Sequence, residues 1–139
     1  MKKIKVLLAD DHSVMRMGLA TLIGSDPGMT VVGEAENGEA AVKLVSETHP
    51  DVIIMDLMMP VLSGADATKR ILEALPDTKV LILTSFGTSS ELAEAIRNGA
   101  HGVLTKDAAA ESILDAVHTV ASGGRIMPDG IEKNLLEVF

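Results

Sequence analysis

The chain reads as an α/β protein built on a doubly wound, five-stranded parallel sheet, (βα)5. Three observations predict this. Short β-branched apolar runs recur along the sequence, segments with helical spacing separate them, and most of the runs are continuously apolar, as strands covered on both faces are. At 139 residues, 47% hydrophobic and 23% charged, the composition suits one domain with its own core.

The first run is Ile4–Ala9, and the helix after it carries Met15, Leu19, Leu22 and Ile23 on one face. Pro27-Gly28 makes a turn into Thr30–Ala35. Ala41, Leu44 and Val45 mark the second helix, and Pro50 ends it before Val52–Met55. Ala67, Ile71, Ala74 and Leu75 form the third helical face, with Pro76 before Val80–Leu83. Leu92, Ala95, Ile96 and Gly99 follow, then the short run Gly102–Leu104. The fifth helix carries Ile113, Leu114, Val117, Val120 and Ala121 and stops at Gly123-Gly124. Ser13, Asn37 and Asp107 are the expected helix caps. Ser90, Glu91, Glu94 and Arg97 give the fourth helix a polar outer face, and apolar residues on the fourth or fifth helix are candidates for a dimer face.

Composition excludes several classes of function. The formal net charge of −8 repels a nucleic-acid duplex, and no basic run relieves it. Two Phe and no Tyr or Trp cannot make a base-stacking platform, so eight Met fill core space instead. Without Cys there is no disulfide, thiolate metal site or thiol nucleophile. The first residues lack the features of a signal peptide and no apolar run spans a bilayer, so a cytoplasmic protein with no membrane partner is expected. The four histidines have no metal-ligand spacing and are expected on the solvated surface.

Sheets of this kind bind ligands at the carboxyl ends of their strands. Those ends read Asp10-Asp11, Glu36, Asp56, Thr84-Ser85 and Thr105-Lys106. Taken singly, each has an ordinary role as cap, turn or solvated charge. Together they put carboxylates, hydroxyls and one ammonium on one rim. Clustered carboxylates call for a cation, and an all-oxygen donor set selects Mg²⁺ before Ca²⁺. Mg²⁺, a lysine and a threonine around one carboxylate would suit phosphoryl transfer onto that carboxylate.

The motifs Leu8-Ala9-Asp10-Asp11-His12, Asp56-Leu57-Met58-Met59-Pro60 with Gly64, Leu83-Thr84-Ser85 and Gly102-Val103-Leu104-Thr105-Lys106-Asp107 resemble those of the receiver domain of two-component response regulators, the CheY-like fold. The group most similar is the one whose receiver precedes a LuxR-type helix-turn-helix (NarL/FixJ-like). The resemblance covers residues 4–122 and implies a flavodoxin-like strand order of 2-1-3-4-5. It implies that Asp56 accepts a phosphoryl group from a sensor histidine kinase. Asp11, Asp56 and the Met58 carbonyl would ligate Mg²⁺ directly and Asp10 through water. Thr84 and Lys106 would hold phosphoryl oxygens, and Ser85 would line the entrance. It further implies a phosphorylation-controlled homodimer, with DNA bound only through a C-terminal output domain. The protein would be a switch rather than an enzyme, with self-phosphorylation from small donors and autodephosphorylation as accompanying reactions.

Val103 departs from the family, which usually has Tyr or Phe three residues before the lysine. Valine has little χ1 freedom and no ring to swing inward. The Thr84–Ser90 loop, with Phe86, is the alternative carrier of the change. Residues 1–122 are read as the receiver and 123–139 as a linker toward an output domain outside the chain, cut inside a linker helix by the apolar Leu135–Phe139 end. Three competing readings remain. An aspartyl-phosphate hydrolase would want a second Asp where Met58 stands. A flavodoxin-like cofactor binder would want a phosphate loop where Asp10-Asp11 stands. A degenerate receiver would act only as an interaction module.

Overall fold

A computed structural model describes residues 2–85 and 90–127. Five strands alternate with five helices: β1 (Ile4–Ala9), α1 (Ser13–Gly24), β2 (Met29–Ala35), α2 (Gly38–Thr48), β3 (Val52–Asp56), α3 (Gly64–Ala74), β4 (Lys79–Thr84), α4 (Ser90–Arg97), β5 (Gly102–Thr105) and α5 (Ala110–Ala121). All pairings are parallel, and the sheet order is β2-β1-β3-β4-β5, the expected one. Among the described residues no helix is long and apolar enough to cross a membrane.

The period-2 alternation of each strand sorts the core into two layers. Leu7, Ile53, Met55, Val80, Ile82 and Val103 face α2, α3 and α4, where they meet Val45, Ile71 and Leu92. Val6, Leu8, Val52, Ile54, Leu81 and Leu83 face α1 and α5, where they meet Leu19, Ile23, Ile113 and Val117. The central strands are buried on both faces, which is why their sequences are continuous rather than alternating. Their carboxyl ends stay in register, with Asp56 opposite Leu83 and Thr84 opposite Thr105. That register brings the polar strand ends to one rim.

Capping follows the sequence at one of three expected positions. Asn37 Oδ1 accepts the Ala40 N–H at 2.8 Å and starts α2. At α1 the N-cap is His12, which makes no side-chain cap bond, and Ser13 is the first helical residue. At α5 the N-cap is Ala109, also without a side-chain bond, and Asp107 instead accepts from the Thr105 hydroxyl. Ser63, not anticipated, caps α3 by accepting the Asp66 N–H at 3.2 Å.

His12, His49 and His118 are exposed as expected, and His101 is the histidine that departs. His101 is half-buried, and its Nδ1 accepts the Val80 N–H at 3.0 Å. Burial holds its pKa below the ordinary value, and the nearby Lys79 and Arg125 charges add to this. His118 Nε2 lies 3.0 Å from Asp26 Oδ2, tying α5 to the turn after α1. The exposed large apolar side chains among the described residues are Val14 and Met17 on α1 and Met58 and Val61 after β3, not residues of α4 or α5. Phe86 and the apolar tail Leu135–Phe139 lie outside the described residues, so the expectations placed on them do not enter the fold.

Two glycines let the loop after β3 pack against its neighbours. A Cβ at Gly38 would sit 2.1 Å from the Leu62 carbonyl oxygen, and one at Gly64 would sit 2.4 Å from the Asp56 carbonyl oxygen. Both obstacles are backbone, so neither yields easily. Gly38→Ala is therefore expected to destabilise the fold by about 1–3 kcal/mol, the usual cost of overpacking. Gly18→Ala, in the middle of α1 with nothing within 4 Å of its Cβ, is expected to be neutral or stabilising by up to about 1 kcal/mol. Urea unfolding midpoints of the two variants check the contrast.

Candidate phosphoryl-acceptor site

β1, β3 and β5 deliver the charged groups. Asp10 follows β1 directly and is 1% exposed, while Asp56 is the last residue of β3 and is 5% exposed. Carboxylates this buried need partners. The partner of both is Lys106, which follows β5: its Nζ lies 3.0 Å from Asp56 Oδ2 and 3.2 Å from Asp10 Oδ2. Lys106 is itself placed by its backbone, whose N–H donates to the Thr84 carbonyl at 2.8 Å.

Asp11 stands at the mouth, about one-third exposed. His12 lies between the acids, with Nδ1 3.1 Å from Asp10 Oδ1 and 3.2 Å from Asp11 Oδ1. Ligand atoms of Asp10, Asp11, His12 and Asp56 all lie within 4.8 Å of one another. Three carboxylates against one ammonium leave two negative charges in this space. That imbalance, on a set dominated by carboxylate oxygens, fits a divalent, oxygen-seeking cation such as Mg²⁺.

The loop after β3 closes one side. The Leu57 N–H donates to the Leu83 carbonyl at 3.3 Å, and the Leu57 carbonyl accepts the Gly64 N–H at 2.8 Å. Met58 is thereby brought back over the acid, its N–H 3.4 Å from Asp56 Oδ1 and its side chain half-exposed. The Thr84 side chain is buried at the end of β4. Ser85 is exposed and lines a surface hollow with Thr105, Lys106 and Asp107.

The structure thus brings Asp10, Asp11, Asp56 and Lys106 into direct proximity, with Thr84 and Ser85 at the neighbouring strand end and Met58 above Asp56. Glu36, on the same rim in sequence, is not part of the cluster: it is exposed and faces Arg16. Val103 is fully buried in the layer under α3 and α4, and its N–H donates to the Ile126 carbonyl at 2.8 Å. Arg16 is the charged residue near the site that sequence reasoning passed over. Its position on α1 gives no periodic signal, and its partners lie on two other segments.

Burial raises the Asp56 pKa above its ordinary value of 3.8, and the Asp10 charge adds to that rise. The Lys106 ammonium and the Met58 N–H oppose it without cancelling it. Burial also pushes Lys106 down, but Asp56 and Asp10 more than offset it and hold the ammonium above its ordinary pKa. A carboxyl group whose pKa rises on folding binds protons more tightly in the folded state, so stability falls as pH climbs from the unfolded value through the folded one. Asp56→Asn removes that charge at nearly constant shape. The variant is expected to melt at a higher temperature than the parent at pH 7–8 without divalent metal. The difference should shrink as pH falls toward about 4, near the ordinary carboxyl value. Thermal melts across this pH series test the sign.

Residues 6–118 match the family model for the response regulator receiver domain. The chain is 41% identical over 133 residues to the transcriptional regulatory protein LnrK of Bacillus subtilis (strain 168), covering 96% of this chain and 60% of that protein. It spans about three-fifths of the length of the curated relatives it matches. Among solved structures, a LuxR-family two-component response regulator from Aurantimonas sp. SI85-9A1 superposes with a TM-score of 0.88 at 32% identity, covering 99% of this chain and 98% of that one. The signal receiver domain of the response regulator NarL from Mycobacterium tuberculosis superposes with a TM-score of 0.84 at 32% identity, covering 88% of this chain and 99% of that one. The similarity to LuxR-type regulators expected from the motifs is borne out, and the chain belongs to the receiver-domain family of two-component response regulators.

Proposed function

We propose that this chain is a working phosphoacceptor: a sensor histidine kinase phosphorylates Asp56, and the added charge changes the conformation of the domain. The observation that carries this reading is the buried Asp56 carboxylate, held 3.0 Å from Lys106 inside a cluster that leaves two negative charges for a divalent cation. A structural ion pair would balance its charges, whereas this cluster does not.

In this reading Asp11, Asp56 and the Met58 carbonyl would hold Mg²⁺, with Asp10 acting through water. Bound there, Mg²⁺ would supply positive charge to offset the acids and the incoming phosphoryl oxygens. An Asp56 carboxylate oxygen forms the new P–O bond as the donor's P–N bond breaks, and the electron pair leaves with the imidazole nitrogen. Lys106 and the Thr84 hydroxyl take up the phosphoryl oxygens, and Ser85 lines the approach. Burial raises the affinity of Asp56 for protons, and the Lys106 ammonium opposes that rise. Small phosphoryl donors can serve the same acceptor, and water can later attack the same phosphorus.

The phosphoryl group adds about −1.5 to −2 charges and three acceptor oxygens. Lys106 then shifts from bridging two carboxylates toward the new dianion, and β5 moves with it. Val103 cannot relay this by a ring flip, because it is a buried valine packed under α3 and α4. The backbone of β5 and the Thr84–Ser90 loop are the routes left to α4 and α5. In the whole regulator, residues 1–122 form the receiver and 123–139 a linker. The output is homodimerisation and control of a DNA-binding domain, in the cytoplasm. The relatives' role in transcription and the LuxR-type likeness support that assignment.

Incubation with acetyl phosphate followed by intact-mass measurement tests the core of the proposal. One phosphoryl-sized gain is expected, dependent on Mg²⁺ and absent in Asp56→Ala. No gain in the parent, or an undiminished gain in Asp56→Ala, would overturn it.

A further inference from the structure

Arg16 sits one helical turn beyond His12 on α1, with its side chain 14% exposed. Its Nη1 donates to the Asp10 carbonyl oxygen at 2.6 Å. Its other contacts are looser. Nε lies 3.4 Å from Glu34 Oε1 and makes no hydrogen bond, and Nη2 lies 4.0 Å from Glu36 Oε1. A guanidinium seeking only a counter-ion would pair with the carboxylates in bidentate fashion. This one gives its short bond to a main-chain carbonyl and leaves a buried nitrogen without a hydrogen bond.

We infer that Arg16 is a positioning residue for the cation site, acting through the Asp10–Asp11 peptide; this rests on the metal-site reading above. The Asp10 N–H donates to the Ala35 carbonyl at 3.1 Å. With its carbonyl held by Arg16, Asp10 is fixed on both sides by its main chain. The Asp10 carbonyl belongs to the peptide plane that continues into Asp11, so the same bond sets the direction in which Asp11 leaves the strand. Asp10 is locked by burial in any case. Asp11 is one-third exposed, and the Arg16 contact constrains it from behind.

The charge of Arg16 makes the idea testable, because field and position act with opposite sign. A fixed positive charge beside a cation site weakens cation binding by Coulomb repulsion. If Arg16 acted only through its field, its removal would tighten Mg²⁺ binding. If it positions the acids, its removal loosens binding despite the relief of repulsion.

Mg²⁺ affinity of the whole 139-residue chain, measured by isothermal titration calorimetry, decides between them. Arg16→Met is expected to weaken Mg²⁺ binding about tenfold, as loss of an outer-shell support commonly does. Its phosphorylation by acetyl phosphate should recover when Mg²⁺ is raised to saturation. Arg16→Lys keeps the charge and its repulsion but has a shorter reach to the Asp10 carbonyl, so it should bind Mg²⁺ less tightly than the parent. Glu34→Gln leaves the Asp10 contact in place and should change the affinity less than twofold, about 0.4 kcal/mol. Unchanged or tighter Mg²⁺ binding in Arg16→Met would overturn the inference. Should that variant fail to fold, unchanged binding in Arg16→Lys would overturn it equally. Absence of Mg²⁺ binding by the parent would overturn the metal-site reading and this inference with it, whereas parental binding indifferent to Arg16 overturns this inference alone.

Discussion

Two carboxylates buried side by side at the end of an apolar sheet are the constraint on which the rest of this structure depends. Asp10 and Asp56 are as hidden from water as the valines and isoleucines that precede them. Burial of that kind is destabilising unless the charges are met. Lys106 meets both acids at once, and it can do so only because β1, β3 and β5 end on the same edge of one parallel sheet. Strand order, register and the glycine-lined loop after β3 all serve that convergence. The fold holds the acids in place against their mutual repulsion, and a divalent cation would relieve that repulsion.

Much of this was legible in the sequence because it is written in short, local patterns. Most of the strands are near-continuous apolar runs, and the acids and the lysine fall where the runs stop. Continuity of apolar character predicts burial on both faces, and the strand-end rule then predicts where polar residues gather. The two-layer core follows from the same periodicities, so the placement of Asp10, Asp56 and Lys106 needed no knowledge of distant contacts. The Asn37 cap was equally readable, since its partner lies three residues away.

What escaped was set by partners far apart in sequence. His101 reads as a surface histidine until β4 is brought beside it and Val80 donates to its ring. Arg16 carries no local signal at all, and its role shows only when α1 is folded against the ends of β1 and β2. Asp107 reads as a cap, yet Thr105 supplies a nearer donor and α5 begins later. Exposed apolar surface was expected on the fourth or fifth helix, but Val14 and Met17 place it on α1. In each case the local pattern permits two outcomes, and tertiary geometry chooses.

One contact at the far side of the sheet carries a mechanical consequence. β5 is an edge strand, yet Ile126 lies beside it: Val103 donates to the Ile126 carbonyl at 2.8 Å, and Ile126 donates to the His101 carbonyl at 3.2 Å. The segment after α5 is thereby latched to the same short strand that leads into Lys106. β5 is only four residues long, so Ile126 and Lys106 lie at opposite ends of one short strand. Any displacement of Lys106 that β5 followed would meet the segment after α5 through those two backbone hydrogen bonds.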